Sequence, residues 1–339
     1  MRILFTRVFF LIAMLPLVNK ISAQQDPHYS QFMYNKLNFN AGFAGATDGK
    51  ICATLIHRTQ WMGFGGGTYS SGSGSGTNSR GGAPVNLVGS INAAIGNRFG
   101  IGATFASDNL GHETMTMPRL TLAYRHPLGD AGTIAAGVGV GFMQRTIDGT
   151  KLRAIQPDDP KIPTGLVSGT APDVDFGLYY TKDNLAGAID NFYAGLSATH
   201  LNQNKITYDY PGGSSTIDSK MHMYFVTGGE LQLNSAMKLQ PNILLKKDPA
   251  KIQADLNCFL VWNENIRGGV TFRPMDAAVL LVGYEFPFGL NVGYSYDITT
   301  SKIIQYSSGS HEIMLRYCFG VSIPKKEKVI RSRFTPRFM

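Results

Sequence analysis

Along most of this chain, apolar side chains alternate with polar ones in runs of about ten residues. That alternation narrows the possible folds more than any other feature. Between Met221 and Leu233, one face carries Met221, Met223, Phe225, Thr227, Leu231 and Leu233, and the other carries His222, Tyr224, Glu230 and Gln232. Met237, Leu239, Ile243 and Leu245 oppose Lys238, Gln240, Asn242 and Lys246. Ile252, Ala254, Leu256, Cys258, Leu260 and Trp262 oppose Lys251, Gln253, Asp255 and Asn257. The pattern continues with Phe288, Leu290, Val292, Tyr294 and Tyr296 against Asn291, Ser295 and Asp297, and with Ile313, Leu315, Tyr317 and Phe319 against Glu312, Arg316 and Gly320. A period of two is the side-chain period of a β-strand, and about ten residues cross a bilayer when the strand is tilted. Such segments fall near 51–60, 84–95, 98–108, 114–126, 131–146, 172–181, 190–203, 220–233, 236–246, 250–262, 265–273, 277–285, 287–298 and 311–320. They make about fourteen strands, an even number as expected of a bacterial membrane barrel. In the fourth, the apolar face changes parity at Pro118, from Met115 and Met117 to Leu120 and Leu122, which predicts a bulge or a miscounted strand.

The connections supply a second test. The long ones, 61–83, 147–171, 204–219 and 299–310, are all odd-numbered, and the even-numbered ones are mostly tight, with 182–189 the longest. Outer-membrane barrels have long outer loops and short periplasmic turns, whereas a soluble sandwich has no reason to sort its loops by parity. Composition agrees: charged residues are 16% of the chain, with 39 Gly, 20 Phe and 15 Tyr, and no mature stretch is apolar enough for a spanning helix. The basic start at Arg2 and Arg7, the apolar run Val8–Val18 and the small residues before Gln24 read as a signal peptide over 1–23. The expected organisation is therefore an all-β antiparallel transmembrane barrel over 51–320, preceded by an irregular segment over 24–50 and followed by a basic tail over 321–339. Both termini are expected in the periplasm, with outer-membrane lipids around the wall.

The inward faces of those strands carry Arg58, Asp173, Asp175, Glu230, Lys238, Lys251, Asp255, Arg267, Arg273, Asp297, Glu312 and Arg316. Both signs are interspersed, so the pattern predicts salt-bridged lumen packing rather than an ion-selectivity ring. Cys52, Cys258 and Cys318 are far apart and lack metal-ligand spacing. They read either as small packing residues or as one disulfide between neighbouring strands plus a free thiol. Neither a cofactor nor a metal is expected.

The segment Gln25–Gly45 departs from the pattern. Its aromatics and amides, including Asp26, Pro27, His28, Tyr29, Gln31, Phe32, Tyr34 and Asn35, follow neither a period of two nor one of 3.6. Such a segment is expected to dock, as a plug in the lumen or as a surface across the rim. This block, with Asn40-Ala41-Gly42-Phe43-Ala44-Gly45, the run His57-Arg58-Thr59-Gln60-Trp61-Met62-Gly63-Phe64 and Tyr124-Arg125-His126-Pro127-Leu128-Gly129, resembles the PorP/SprF family. Those are outer-membrane barrels of the type IX secretion and gliding-motility apparatus of Bacteroidota. Where the family continues into a short Gly-Ala-Pro turn, this chain inserts Gly65–Gly82, which reads as a flexible surface loop and not a phosphate-binding one.

The resemblance implies a non-enzymatic role, in contact with periplasmic ring lipoproteins or with one large surface adhesin through its C-terminal domain. The N-terminal block with Arg58, Gln60 and Trp61 is the first candidate for plug or docking. The tail, with Lys325, Lys326, Lys328, Arg331, Arg333 and Arg337, is the second, as a salt-sensitive contact to acidic partners. Nucleic acid is not an expected partner in that compartment despite the net charge of +8. Two competing classes are an enzyme using Ser107, Asp108 and His112 near one outer hairpin, and a channel for apolar small molecules with an N-terminal hatch.

Overall fold

The computed structural model describes residues 26–47, 49–64, 82–152, 159 and 162–320. Fourteen of its strands close an antiparallel barrel. In chain order the strands are β1 (Lys50–Thr59), β2 (Val85–Ile95), β3 (Phe99–Leu110), β4 (Glu113–Pro127), β5 (Thr133–Asp148), β6 (Leu166–Lys182) and β7 (Asp190–Thr199). A separate hairpin follows, β8 (Lys205–Tyr210) and β9 (Gly213–Asp218). The wall resumes with β10 (His222–Gln232), β11 (Met237–Lys247), β12 (Ile252–Trp262), β13 (Ile266–Arg273), β14 (Ala277–Glu285), β15 (Leu290–Thr299) and β16 (Ser310–Gly320). Each wall strand pairs with its neighbour in sequence, and β1 pairs with β16, Lys50 opposite Gly320 and Thr59 opposite His311. The register sets Cys52 directly across from Cys318, and the two form a disulfide over this closing seam, while Cys258 is a free thiol. Of the two readings open from sequence, the bridged one holds for that pair.

The wall obeys the period of two. Leu120, Leu122, Val270, Phe272, Leu280 and Val282 are exposed on the outside, a band that suits lipid tails and would aggregate in water. One end of the barrel, the seam end, holds the start of β1, the end of β16 and the turns at 96–98, 128–132, 183–189, 233–236, 263–265 and 286–289. The opposite, loop end holds the strand ends that flank every long connection, 60–84, 149–165, 200–221 and 300–309.

Two expectations need correction. The parity change at Pro118 does not occur: Met115, Met117, Arg119, Thr121 and Ala123 all face inward, and β3 and β4 keep one register through Phe105 opposite Pro118. Met115 and Met117 are apolar yet inward because the lumen changes character near the loop end. There β8 and β9, unforeseen within the connection 204–219, fold against the extended β6, and buried Ile206 and Tyr208 pack with Met115, Met117, Met143, Val167 and Ala171. Pro118 costs local pairing, not a register shift. Second, Lys251 belongs to the turn before β12 and not to a lumen face, whereas Lys238 keeps the inward parity of Asn242, Leu244 and Lys246 and pairs with Glu264 near the seam end.

Candidate functional site: the filled lumen

The lumen is occupied by the chain's own N-terminal segment. Asp26–Gly45 runs from near the loop end, where Asp26 meets His200, His222 and Tyr224, back to the seam end, where Gly45 lies against Gly100. Having no strand or helix period, it forms only three single turns of 3-10 helix, Phe32–Tyr34, Lys36–Asn38 and Ala41–Phe43. Its backbone polar groups must therefore find partners on the wall. Placing Asp26 near the loop end separates the start of the described chain from the seam end, where β1 begins and β16 stops.

Charges hold the first half. The backbone N–H groups of Ser30 and Gln31 donate to the two carboxylate oxygens of Glu312, at 2.9 and 2.8 Å. Ser30 Oγ donates to Asp297 at 2.8 Å and accepts from Arg58 at 3.0 Å and Arg273 at 3.3 Å. Arg58 pairs with Asp297 (2.8 Å) and Glu312 (3.2 Å), and Arg273 pairs with Asp255 (2.8 Å) and Asp297 (3.2 Å). His28 meets Asp255 at 2.8 Å. All five wall groups are at most 2% exposed. Removing one partner from such a cluster leaves a buried charge unpaired, so the cluster specifies one position for Ser30.

Asp26 is the other anchor. Its carboxylate accepts from Tyr224 Oη (2.8 Å) and meets His200 Nε2 (2.9 Å), its backbone carbonyl accepts from Lys246 (2.8 Å), and His200 Nδ1 meets Asp173 (2.8 Å). Burial opposes charge on His200, but Asp26 and Asp173 outweigh it and push the imidazole up to about 10. Burial likewise opposes charge on Asp26, and His222 and His200 hold its carboxyl well below the usual range. Arg119 pairs with Asp173 and Asp175 and donates to the Asn38 carbonyl at 3.1 Å.

Shape holds the second half. Phe32, Leu37, Phe39 and Phe43 pack with Tyr179, Tyr193, Tyr224, Val226 and Leu244, and Phe43 meets Tyr179 edge-on at 5.3 Å. The small residues of Asn40–Gly45 press on lumen-facing glycines. A Cβ on Gly137 would stand 2.2 Å from the Ala41 carbonyl oxygen, and one on Gly100 would stand 2.0 Å from that of Ala44. Gly45 itself turns with φ +79°, which favours glycine. Asn40 links both sides: its Oδ1 accepts from Gly42 N (2.8 Å) and its Nδ2 donates to the Leu178 carbonyl (3.1 Å).

The N-terminal candidates are thus brought together with Arg58. Tyr34 lies edge-on to Phe259 at 6.2 Å, Pro27 lies beside Tyr224 and Lys246, and Tyr29 and Asn35 are buried. Gln60 and Trp61 are not part of this assembly: they stand at the loop-end rim, with Trp61 N donating to Ser310 Oγ at 3.0 Å and its ring edge-on to Phe64. The tail residues Lys325, Lys326, Lys328, Arg331, Arg333 and Arg337, and the insertion 65–81, lie outside the described residues. Ser107 and Asp108 point to opposite faces of β3, with Asp108 accepting from Asn86, so the suggested nucleophile cluster is not assembled. Sequence alternation did place Tyr224, Lys246 and His222 inward, but nothing in it paired them with Asp26.

At the seam end the plug stops short of the mouth and leaves a recess of about 910 Å³. Plug residues Lys36 and Phe43 line it with Arg125, Lys182, Glu230 and Arg316. Lys36 Nζ sits 3.4 Å over the Tyr193 ring, and burial, with Arg316 nearby, lowers its pKa to about 7.

Among solved structures the chain is similar to the toluene transporter TbuX of Ralstonia pickettii (12% identity, TM-score 0.45, covering 82% of this chain and 91% of that one). It is similar as well to a FadL homologue of Pseudomonas aeruginosa (13%, TM-score 0.45, 87% and 94%) and to the CymD monoaromatic hydrocarbon channel (13%, TM-score 0.47, 89% and 95%). No curated protein matches the sequence. A family profile described as "Type IX secretion system membrane protein PorP/SprF" matches residues 21–317. The segment that fills the lumen, the arginine that clamps it and all of the enclosing strands but the last residues of β16 fall inside that match, and the chain belongs to the PorP/SprF family.

Proposed function

We propose that this protein is a plugged, non-enzymatic outer-membrane component of the type IX apparatus that docks other components at its seam end. The observation that carries this reading is the anchorage of Ser30 and Gln31 to Arg58, Arg273, Asp297 and Glu312, which fills the lumen with buried ion pairs. A barrel built to conduct would have to break that cluster for each passage, so work by contact suits it better than work by conduction. Asp26, Pro27, His28, Tyr29, Gln31, Phe32, Tyr34 and Asn35 then act by seating the plug. The recess around Lys36, Phe43 and Lys182 offers the docking surface. The segregation of long loops to the opposite end supports a periplasmic seam end, which would set the recess beside the basic tail and facing the periplasmic components.

Affinity purification from native membranes tests this. Recovery of periplasmic ring lipoproteins assigns a core role, and recovery of one large adhesin through its C-terminal domain assigns a dedicated-partner role. Recovery of neither, with type IX secretion and surface adhesins intact in a deletion strain, sinks the proposal. Deleting 321–339 should spare the barrel and weaken capture; equal capture would reduce the tail to solvated chain. Uptake of an apolar small molecule into liposomes by the purified barrel would favour the hatch-channel reading instead.

A further inference from the structure

We propose that Asp26, His200 and His222 form a binding site for a divalent transition-metal ion of the zinc class, stapling the start of the plug to the barrel wall. One ligand atom from each lies within 4.8 Å of the others. His200 Nε2 stands 2.9 Å from one Asp26 oxygen, and His222 Nδ1 stands 3.5 Å from the other. Two imidazoles and one carboxylate are a common zinc donor set, with a fourth position left for water, whereas calcium or magnesium would call for oxygen ligands throughout.

Two further observations point to an ion. His222 is 3% exposed, yet among the described residues neither of its ring nitrogens has a hydrogen-bond partner. A buried imidazole left in that state is costly, and a metal bond at Nδ1 would satisfy one of the two nitrogens. The surroundings are those of a ligand shell: Asp173 holds the far nitrogen of His200 at 2.8 Å, and Tyr224 Oη donates to Asp26 at 2.8 Å. Carboxylates and hydroxyls in such positions orient metal-binding imidazoles and carboxylates.

A cavity of about 30 Å³, room for one small ion or water, is lined by all three side chains. The two cations on its wall, Arg145 and Lys220, are paired with Glu113 and Asp218. The neighbouring trio Asp173, Asp175 and His200 is not an equivalent site, because the Arg119 guanidinium already pairs with both carboxylates. A protonated His200, donating one N–H to Asp26 and the other to Asp173, would satisfy His200 but leaves His222 without a hydrogen bond, and zinc binding at Nε2 would displace that proton.

The test uses the full-length protein, purified in detergent, stripped with a chelator and titrated with zinc. Saturable uptake of about one ion per chain is expected, with a four-coordinate visible spectrum when cobalt(II) replaces zinc. His222→Ala should weaken zinc binding at least ~100-fold and Asp173→Asn by about 10- to 100-fold. His311→Ala, at a histidine beside Tyr294 and Tyr296 and apart from the three ligands, should leave it unchanged. Absence of saturable uptake, or equal uptake by His222→Ala and wild type, overturns the proposal. Should His222→Ala fail to fold, copper(II) paramagnetic resonance on wild type decides: two coordinated imidazoles support the site, and one or none overturns it.

Discussion

The two halves of the plug are fastened by different physics. Asp26–Gln31 is held by charge: two carboxylates and two guanidinium groups converge on Ser30 and Gln31, a third carboxylate meets His28, and Asp26 is gripped by His200, Tyr224 and Lys246. Leu37–Gly45 is held by shape, with aromatic packing and small residues pressed onto glycines of β3, β5 and β6. Charged contacts tolerate small displacements but not loss of a partner; close backbone contacts tolerate loss of a hydrogen bond but not an added atom. A segment without regular structure needs both kinds, because it has no ladder of its own to hold its backbone.

Breaking the charged half should have the largest effect. Arg58→Ala removes one guanidinium from a cluster with three carboxylates, and a loss of about 3–5 kcal/mol is expected. In planar bilayers that variant should show frequent conducting events that wild type lacks; a closed Arg58→Ala barrel would mean that shape alone seats the plug. Gly137→Val attacks the other half by driving a side chain into the Ala41 carbonyl, at a cost of about 1–3 kcal/mol. Conductance as low as that of wild type would show that the wall yields there and that the contact is not a constraint.

The double variant Arg58→Ala/Gly137→Val sharpens the comparison. Costs adding to within about 0.5 kcal/mol would make the two halves independent, and a smaller sum would show that releasing one already frees the other. Asn40→Ala, losing a cap and a wall contact, should cost only about 1 kcal/mol, read as a small drop in the denaturant midpoint. The last prediction concerns pH. Lys36 has a lowered pKa of about 7 in the folded protein, so the unfolded chain binds more protons between that value and its ordinary 10.5. Stability should therefore rise with pH across that window, and Lys36→Met should flatten the slope, measured as the denaturant midpoint against pH.

How much of this was legible depends on whether a local period carries the information. The alternation in β12 or β15 is fixed by having lipid on one side and lumen on the other, so Leu256 and Asp255, or Tyr294 and Asp297, declare their faces without tertiary knowledge. Met115 and Met117 broke the reading because inward need not mean polar: near the loop end β8 and β9 close over the lumen, and apolar side chains pack there. Arg58 was placed inward by parity, while Gln60 and Trp61, adjacent in the same motif, were grouped with it although β1 ends at Thr59 and leaves them on the loop-end rim, outside the plug contacts.

The sequence by itself determined the wall: the strand number, the faces, the sorting of loops and the family that residues 21–317 match. It also marked Gln25–Gly45 as a segment that must dock, since its aromatics and amides suit neither water nor a regular element. Only the tertiary structure decided that the segment fills the lumen, that Asp26 lies toward the loop end beside His200 and His222, and that Cys52 and Cys318 join across the seam. The reason is physical. A strand's faces follow from neighbours two residues apart, but the partners of an irregular segment can lie far along the chain, 227 residues for His28 and Asp255, and only closure of the barrel brings them within reach.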